Sequence, residues 1–382
     1  MTNTLSANNR LPWLDVIRML AMIMVIGVHC IDPFYISPTL GQIPEYRHWA
    51  AVYGSLLRPS VPLFVMMTGL LLLPVREMKP GAFYRKRIFR VLWPFLIWSV
   101  LYNMFPWFTG VLGLPKEIIG TFFCYVQGNE SQSLMDSLKD VAMIPFNFSF
   151  KENHMWYIYL LIGLYLYMPF FSAWIEKADR KTERIFLAIW AVSLFLPYAS
   201  EYISRFLYGE ATWNQFGLFY YFAGFSGYLL LGHYLKGGNS WSIGKTLLVS
   251  VLLFAAGYAV TYTGFSAAAA DPASTEPEME LFFTFCSPNV AMMTAAVFIL
   301  MQKIRISNGK ICSILANLTK CGFGIYMVHY FLVGPAFILI GKAGLPIPLQ
   351  VPVMAAAIFL VSWGFTWLMY RIFGEKARYV MG

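Results

Sequence analysis

The chain has 382 residues, of which 58% are apolar and only 12% are charged, and its formal net charge at pH 7 is +9. Soluble domains carry about twice that share of charged residues, so the composition argues against a soluble globular protein. The basic balance alone would allow nucleic-acid binding, but Lys and Arg cluster in short segments between apolar runs. The sequence therefore predicts an all-α, polytopic membrane protein without a nucleic-acid partner.

A helix that crosses a bilayer needs about 20 mostly apolar residues. Segments of this kind recur along the whole chain, and we treat residues 1–382 as a single transmembrane domain in a helical bundle with about ten membrane helices. The predicted spans are 12–33, 50–74, 87–108, 155–175, 184–200, 215–235, 244–264, 280–302, 319–341 and 350–373.

The loops between these spans alternate in charge. Segment 76–90 carries six basic residues and one acid, whereas segment 109–154 carries five acids and three lysines. Basic loops usually stay in the cytoplasm, so both termini are predicted to be cytoplasmic. The loop 109–154 would then lie outside as a possible cap, with an amphipathic stretch around 133–146.

The first predicted span contains Asp15, Arg18 and His29. A charge at bilayer depth costs about 2.5–3.5 kcal/mol on insertion scales, so it needs a partner or a function. Arg18 and His29 fall within about 20° of one helix face and about 16 Å apart along the axis. They could line one passage. Alternatively, Arg18 forms a salt bridge with Asp15 or reaches the headgroups, and His29 makes an interhelical hydrogen bond.

Further polar residues lie in or beside the spans. They are Arg58, Arg87, Arg90, His154, Trp156, Tyr326 and His329. Guanidinium groups bind phosphate well, and an imidazole can act as a general base or a transient nucleophile. The predicted topology suits a phosphate-bearing donor that enters from the cytoplasm and an acceptor outside. The five cysteines show neither metal-ligand nor paired spacing, and no metal site or resident cofactor is predicted.

Five motifs in chain order resemble those of acyltransferase family 3. An Arg and a His separated by ten residues in the first span are followed by elements similar to those of the family's second, third, fourth and late helices. The motifs are "RMLAMIMVIGVH", "SVPLFVMMTGLLL", "RIFR", "HMWYIYLLIGLYLYMP" and "GFGIYMVHYF". The likeness is greatest to the branch of O-acetyltransferases for enterobacterial common antigen and related surface polysaccharides. Thr68 stands where the family usually has serine, and the pair Thr68–Gly69 predicts close helix packing.

The resemblance implies an enzyme of the bacterial inner membrane. It would move an acyl group, usually acetyl, from cytoplasmic acyl-coenzyme A to a hydroxyl of an envelope glycan outside. Acetyl-coenzyme A would be a co-substrate, not a permanently bound cofactor. His29 would be the catalytic base or transient acyl carrier. Arg18, Arg87 and Arg90 would contact the donor. The acceptor-binding or supporting residues would be Asp15, Arg58, His154, Trp156, Tyr326 and His329.

Two other classes also fit ten spans with buried charges. One is a transporter of an anionic solute or envelope intermediate, and the other is a protein that only binds an envelope glycan or lipid. The sequence has no evident inverted repeat, and no soluble domain is expected beside the membrane part. Coenzyme A binding separates the hypotheses, because a transporter of unrelated solutes should not bind coenzyme A.

Overall fold

The computed structural model describes residues 11–37, 39–75, 79–114, 132–203, 216–271 and 273–382. These residues form helices and connecting turns, with no strand among them. The α-helices are α1 Pro12–Ile36, α2 Pro44–Leu57, α3 Ser60–Leu72, α4 Pro80–Val111, α5 Leu134–Met143, α6 Trp156–Ile175, α7 Arg180–Ser193, α8 Leu196–Tyr202, α9 Ser226–Tyr234, α10 Ile243–Ala270, α11 Glu276–Glu280, α12 Pro288–Met301, α13 Gly309–Lys342, α14 Ile347–Phe373 and α15 Arg378–Met381. Short 3₁₀ helices cover Leu40–Gln42, Phe150–Met155, Gly217–Phe219, Leu281–Phe283 and Gly374–Ala377.

Within the described ranges, nine helical segments are long and apolar enough to cross a membrane. They are Pro12–Ile36, Pro44–Leu72, Pro80–Val111, Lys151–Ile175, Arg180–Tyr202, Ile243–Ala270, Glu276–Met301, Gly309–Lys342 and Ile347–Met381. Each coincides with one of the predicted spans. The polytopic helical fold predicted from the composition is therefore confirmed.

The predicted span 215–235 is wrong as a continuous membrane helix. Its first residue lies outside the described ranges, and three of the residues that follow have positive φ: Phe216 at 68°, Gly217 at 45° and Gly224 at 85°. Helical backbone has negative φ, so α9 begins only at Ser226. Its nine residues extend about 14 Å, against about 30 Å of hydrocarbon.

Internal contacts divide the chain into two compact units. The first comprises Met1–Met24, Arg58–Leu72 and Ala178–Gly322, and the second comprises Val25–Leu57, Leu73–Lys177 and Phe323–Gly382. The assignment of 1–382 to one domain stays a prediction.

In the first unit, α3 and α9 approach until their backbones nearly touch. A Cβ atom added at Gly69 would lie 2.0 Å from the carbonyl oxygen of Leu229, and one at Gly232 would lie 2.0 Å from that of Met66. Only glycine fits at either position. The close packing predicted from the pair Thr68–Gly69 is confirmed, and the Thr68 hydroxyl donates to the Phe64 carbonyl within its own helix.

The second unit contains the amphipathic helix predicted in the loop 109–154. Helix α5 is preceded by Ser133, whose Oγ accepts a hydrogen bond from the Asp136 amide at 3.1 Å, as an N-cap does. The Tyr159 hydroxyl of α6 donates to the carbonyl of Ile144 directly after α5. The part of this loop at 115–131, including Cys124, lies outside the described residues, as do Arg76 and Glu77 of the basic loop.

Candidate active site

His29 on α1 pairs with a carboxylate one helical turn later. Its Nδ1 lies 3.2 Å from Oδ2 of Asp32, and the two side chains are 12% and 14% exposed. A carboxylate oxygen accepts hydrogen bonds, so Nδ1 carries a proton, and in the neutral ring Nε2 then keeps its lone pair. In acid–base catalysis a catalytic imidazole is commonly held in one tautomer by a carboxylate, as Asp32 does here for His29.

Two further histidines of the second unit contact His29. The ring centroid of His329 lies 5.5 Å from that of His29, and His154 lies 6.4 Å from His29 and 5.2 Å from His329. They come from α13 and from the 3₁₀ turn Phe150–Met155. The structure thus brings three of the predicted site residues together.

Tyrosines enclose the three imidazoles. The Tyr330 ring stacks on His154 at 4.6 Å and meets His29 edge-on at 5.2 Å, and Tyr102 lies 5.1 Å from His154. Tyr102 of α4 is held by its hydroxyl, which donates to the Met327 carbonyl at 2.8 Å and accepts from the Phe331 amide at 3.2 Å. This anchoring fixes the aromatic wall of the site.

Hydrogen bonds also define the state of His329. Its Nδ1 lies 2.6 Å from the Tyr326 carbonyl oxygen, which can only accept, so Nδ1 carries the proton and Nε2 is the acceptor. The predicted residue Tyr326 donates its hydroxyl to the His154 carbonyl. Trp156 lies at the start of α6, where its ring meets Tyr157 edge-on at 6.2 Å.

Several ring nitrogens of this cluster, all buried, have no hydrogen-bond partner among the described residues. They are Nε2 of His329 and both Nδ1 and Nε2 of His154, whose residues are at most 1% exposed. Buried polar atoms are normally paired, and exceptions concentrate where a ligand or catalytic step uses them. The cluster has lone pairs and an N–H in a largely water-excluded, aromatic setting.

A buried carboxyl lies next to this cluster. Glu152, which is fully buried two residues before His154, accepts a hydrogen bond at 2.7 Å from the Asn103 side-chain amide. The Ser149 hydroxyl donates to the carbonyl of the same amide at 2.8 Å.

Sequence reasoning missed four residues of this site: Asp32, Tyr102, Tyr330 and Glu152. Asp32 could have been found from the sequence, because a residue three positions after His29 lies on the same helix face. The other three could not have been found in this way, since their proximity to His29 depends on packing between segments that are distant in the sequence.

Arg18 and Asp15 belong to the first unit. Arg18 Nη1 donates to Asp15 Oδ1 at 3.0 Å, and the Thr319 hydroxyl donates to the same oxygen at 2.7 Å. Asp15 is only 4% exposed, whereas the Arg18 side chain is 30% exposed. The salt bridge weighed from the sequence is present, and donor contact by Arg18 stays a prediction.

Arg58, in the same unit, is buried against aromatic rings. Its guanidinium carbon lies 4.0 Å from the ring centroid of Phe283 and 5.9 Å from that of Phe285. Such cation–π contacts stabilise a buried guanidinium by about 2 kcal/mol. This gives Arg58 a structural role, and acceptor binding by it stays a prediction.

Arg87 and Arg90 lie one turn apart near the start of α4. Arg90 is exposed and Arg87 is partly buried, and both interact electrostatically with Tyr165 of α6. Nε of Arg87 is buried and has no hydrogen-bond partner within the described ranges. The pair therefore presents two positive charges on one face of the helix.

A polytopic helical membrane protein with a carboxylate-oriented imidazole beside two further histidines has groups suited to acyl transfer. The model of the acyltransferase domain family matches residues 11–370, nearly the whole chain. The chain belongs to acyltransferase family 3 and is a membrane acyltransferase, as its motifs predicted. No curated protein and no solved structure matches it.

Proposed function

We propose that this acyltransferase moves an acyl group, most simply acetyl, from cytoplasmic acyl-coenzyme A to a hydroxyl of an envelope glycan outside a bacterial inner membrane. The observation that carries the proposal is the His29–Asp32 pair, which lies in ring contact with His154 and His329. The donor, the acceptor and the nearest branch of the family come from the motif resemblance.

In the direct route, Nε2 of His29 takes the proton of the acceptor hydroxyl while its oxygen attacks the thioester carbonyl. A C–O bond forms and the C–S bond breaks. The departing thiolate receives the proton from the His29 imidazolium and leaves as coenzyme A. The Asp32 carboxylate stabilises the positive charge that His29 carries between these two proton transfers.

In the covalent route, Nε2 of His29 itself attacks the thioester, and the thiolate leaves. The acceptor oxygen then attacks the acyl-imidazole, and Nε2 of His329, which is the acceptor nitrogen of that ring, takes the hydroxyl proton. The bond from the acyl carbon to His29 breaks, the ester is released, and His329 gives its proton to solvent, from which the coenzyme A thiolate takes one up. Release of coenzyme A in a burst before ester formation would distinguish this route from direct transfer.

Arg87 and Arg90 are suited to the donor. Two guanidinium groups one turn apart can bind the phosphates of coenzyme A with charge-assisted hydrogen bonds. Phosphate binding at this helix face would anchor the donor in the second unit, which also contains His29.

The test uses detergent-purified protein, radiolabelled acetyl-coenzyme A and a bacterial envelope glycan extract. Wild type, His29→Ala and His48→Ala are compared for donor binding and for glycan-dependent release of coenzyme A. His48 is an exposed histidine of α2 in the same unit and is the matched control. We expect all three to bind the donor, and only His29→Ala to lose turnover, by at least about 100-fold.

Two results would contradict the proposal. Normal turnover by His29→Ala would remove the catalytic role of this residue. Absence of donor binding by the wild type would remove coenzyme A as the donor and favour the transport of another anion.

A further inference from the structure

A cavity of about 540 Å³ lies beside α5 in the second unit. Its volume is in the range of small-molecule sites, which is about 300–1,000 Å³. It is lined by Gln132, Asp140, Met143, Asn147, Phe148, Ser149 and Lys151. Arg87 and Arg90, which are proposed to bind the acyl donor, are not among the lining residues, and neither is His29.

The polar wall of the cavity is held in one arrangement. Oδ2 of Asp140 accepts hydrogen bonds from Nζ of Lys151 at 2.6 Å and from Nε2 of Gln132 at 2.8 Å. Lys151 is only 5% exposed, so its ammonium group is fixed by this pairing. The two charges cancel, and the wall presents directed hydrogen-bonding groups without net charge.

These groups suit a neutral ligand that has several hydroxyls and an apolar face. Carboxylate and amide oxygens accept from sugar hydroxyls, while amide N–H groups donate to them. An anionic or cationic ligand would compete with one partner of the Asp140–Lys151 pair. Phe148 adds an aromatic surface for the C–H face of a sugar ring, and its own ring is held near Tyr159 at a centroid distance of 6.0 Å.

A hydrogen-bonded chain runs from the cavity to Glu152, two residues before His154 in the sequence. Ser149 lines the cavity and donates to Asn103, which donates in turn to Glu152. Glu152 and His154 both lie in the short segment Phe150–Met155, whose backbone is kinked at Glu152, with φ −129° and ψ 33°. The wall of the cavity and His154 therefore belong to one short segment, in which Lys151, Glu152 and His154 are buried.

We propose that this cavity is the acceptor subsite and holds an uncharged sugar residue of the glycan while a hydroxyl of that glycan is acylated at the histidine cluster. The proposal rests on the proposed acyl transfer. It adds the place and the chemical class of the acceptor residue, which the family motifs do not specify.

The test changes two lining residues that lie on either side of α5 in the sequence. Asn147→Trp puts an indole into the cavity, and Gln132→Ala removes one hydrogen-bonding group. Met135→Trp is the control, because Met135 lies on α5, is 63% exposed and is not a lining residue. The probe is a bacterial envelope glycan extract measured in hexose equivalents, with radiolabelled acetyl-coenzyme A as donor.

For Asn147→Trp we expect the acceptor KM to rise about tenfold or more, because the sugar is sterically excluded. For Gln132→Ala we expect a rise of about fivefold. The dissociation constant of the donor should stay within about twofold of wild type in every variant, which also verifies folding. Met135→Trp should match wild type in both constants.

An unchanged acceptor KM in Asn147→Trp, in an enzyme that turns over normally, would overturn the subsite and leave the proposed acyl transfer intact. A wild type that releases no coenzyme A in response to glycan would overturn the proposed function, and the subsite with it. The two failures are therefore distinguishable.

Discussion

Replacing Asp32 by asparagine tests whether the imidazole of His29 works through its carboxylate. The substitution keeps the size of the side chain and removes its charge, at a contact of 3.2 Å. In both routes of the proposed reaction the ring becomes positive, and the lost interaction is a hydrogen bond between charged groups. Such bonds contribute about 1.5–3 kcal/mol. At about 1.36 kcal/mol per factor of ten, kcat should fall about 10- to 150-fold.

This range is a lower limit for one geometric reason. The new amide can turn its NH₂ group toward Nδ1 of His29, which would move the ring proton to Nε2. The nitrogen assigned to accept the hydroxyl proton would then be blocked, as in a triad whose aspartate has become asparagine.

The assay is steady-state release of coenzyme A with the glycan extract, beside equilibrium donor binding and thermal unfolding in detergent. For Asp32→Asn the loss should appear in kcat, while the donor dissociation constant and the acceptor KM stay within about twofold. Glu45→Gln removes an exposed carboxylate from α2 of the same unit and should behave as wild type.

The reasoning is refuted if Asp32→Asn keeps the wild-type kcat. It is refuted equally if kcat falls only in proportion to lost donor binding and lowered thermal stability. Asp32 would then support the fold without orienting the imidazole.

Two further predictions concern the donor and the helix packing. Arg87→Ala and Arg90→Ala should each raise the donor dissociation constant about tenfold by removing a charge-assisted phosphate contact. Lys86→Ala is the control in this equilibrium binding assay. Equal effects in all three variants would mean that general surface charge, and not a specific phosphate contact, attracts the donor. Gly232→Ala should destabilise the protein by about 1–3 kcal/mol, because its Cβ would lie 2.0 Å from a backbone carbonyl of the facing helix. Gly244→Ala meets no atom within 4 Å and is the control in thermal unfolding, where an unchanged transition of Gly232→Ala would refute the packing argument.

Most of the membrane helices could be predicted because hydropathy and length report directly on burial in lipid. The segment 215–235 shows where this fails. Its composition is apolar, but composition does not determine the backbone dihedral angles. The positive φ values of Phe216, Gly217 and Gly224 interrupt the helix before α9. Glycine in an apolar run permits either a helix or a break, and tertiary contacts decide between them.

The three histidines of the candidate site could be singled out in the sequence, whereas their mutual contact and the residues around them could not. His29, His154 and His329 were recognisable because a polar side chain in an apolar span is energetically costly and usually has a partner or a function. Their mutual contact depends on contacts between segments far apart in sequence, which no spacing rule contains. Arg18 shows the opposite case: local spacing correctly indicated Asp15 as its partner, and that pairing is present.

The unpaired nitrogens of His154 connect the packing of the cluster to the proposed chemistry. A neutral imidazole has one N–H donor and one acceptor nitrogen in either tautomer, and both nitrogens of this ring have no hydrogen-bond partner in the part of the chain that the structure describes. Leaving a buried polar group unpaired costs about 1–3 kcal/mol, so packing alone gives no reason to place a histidine there. A hydroxyl both donates and accepts, and can satisfy either nitrogen. An acceptor alcohol beside His154 would therefore offset this cost at either nitrogen, whereas an anionic oxygen could satisfy only the N–H and an apolar ligand neither.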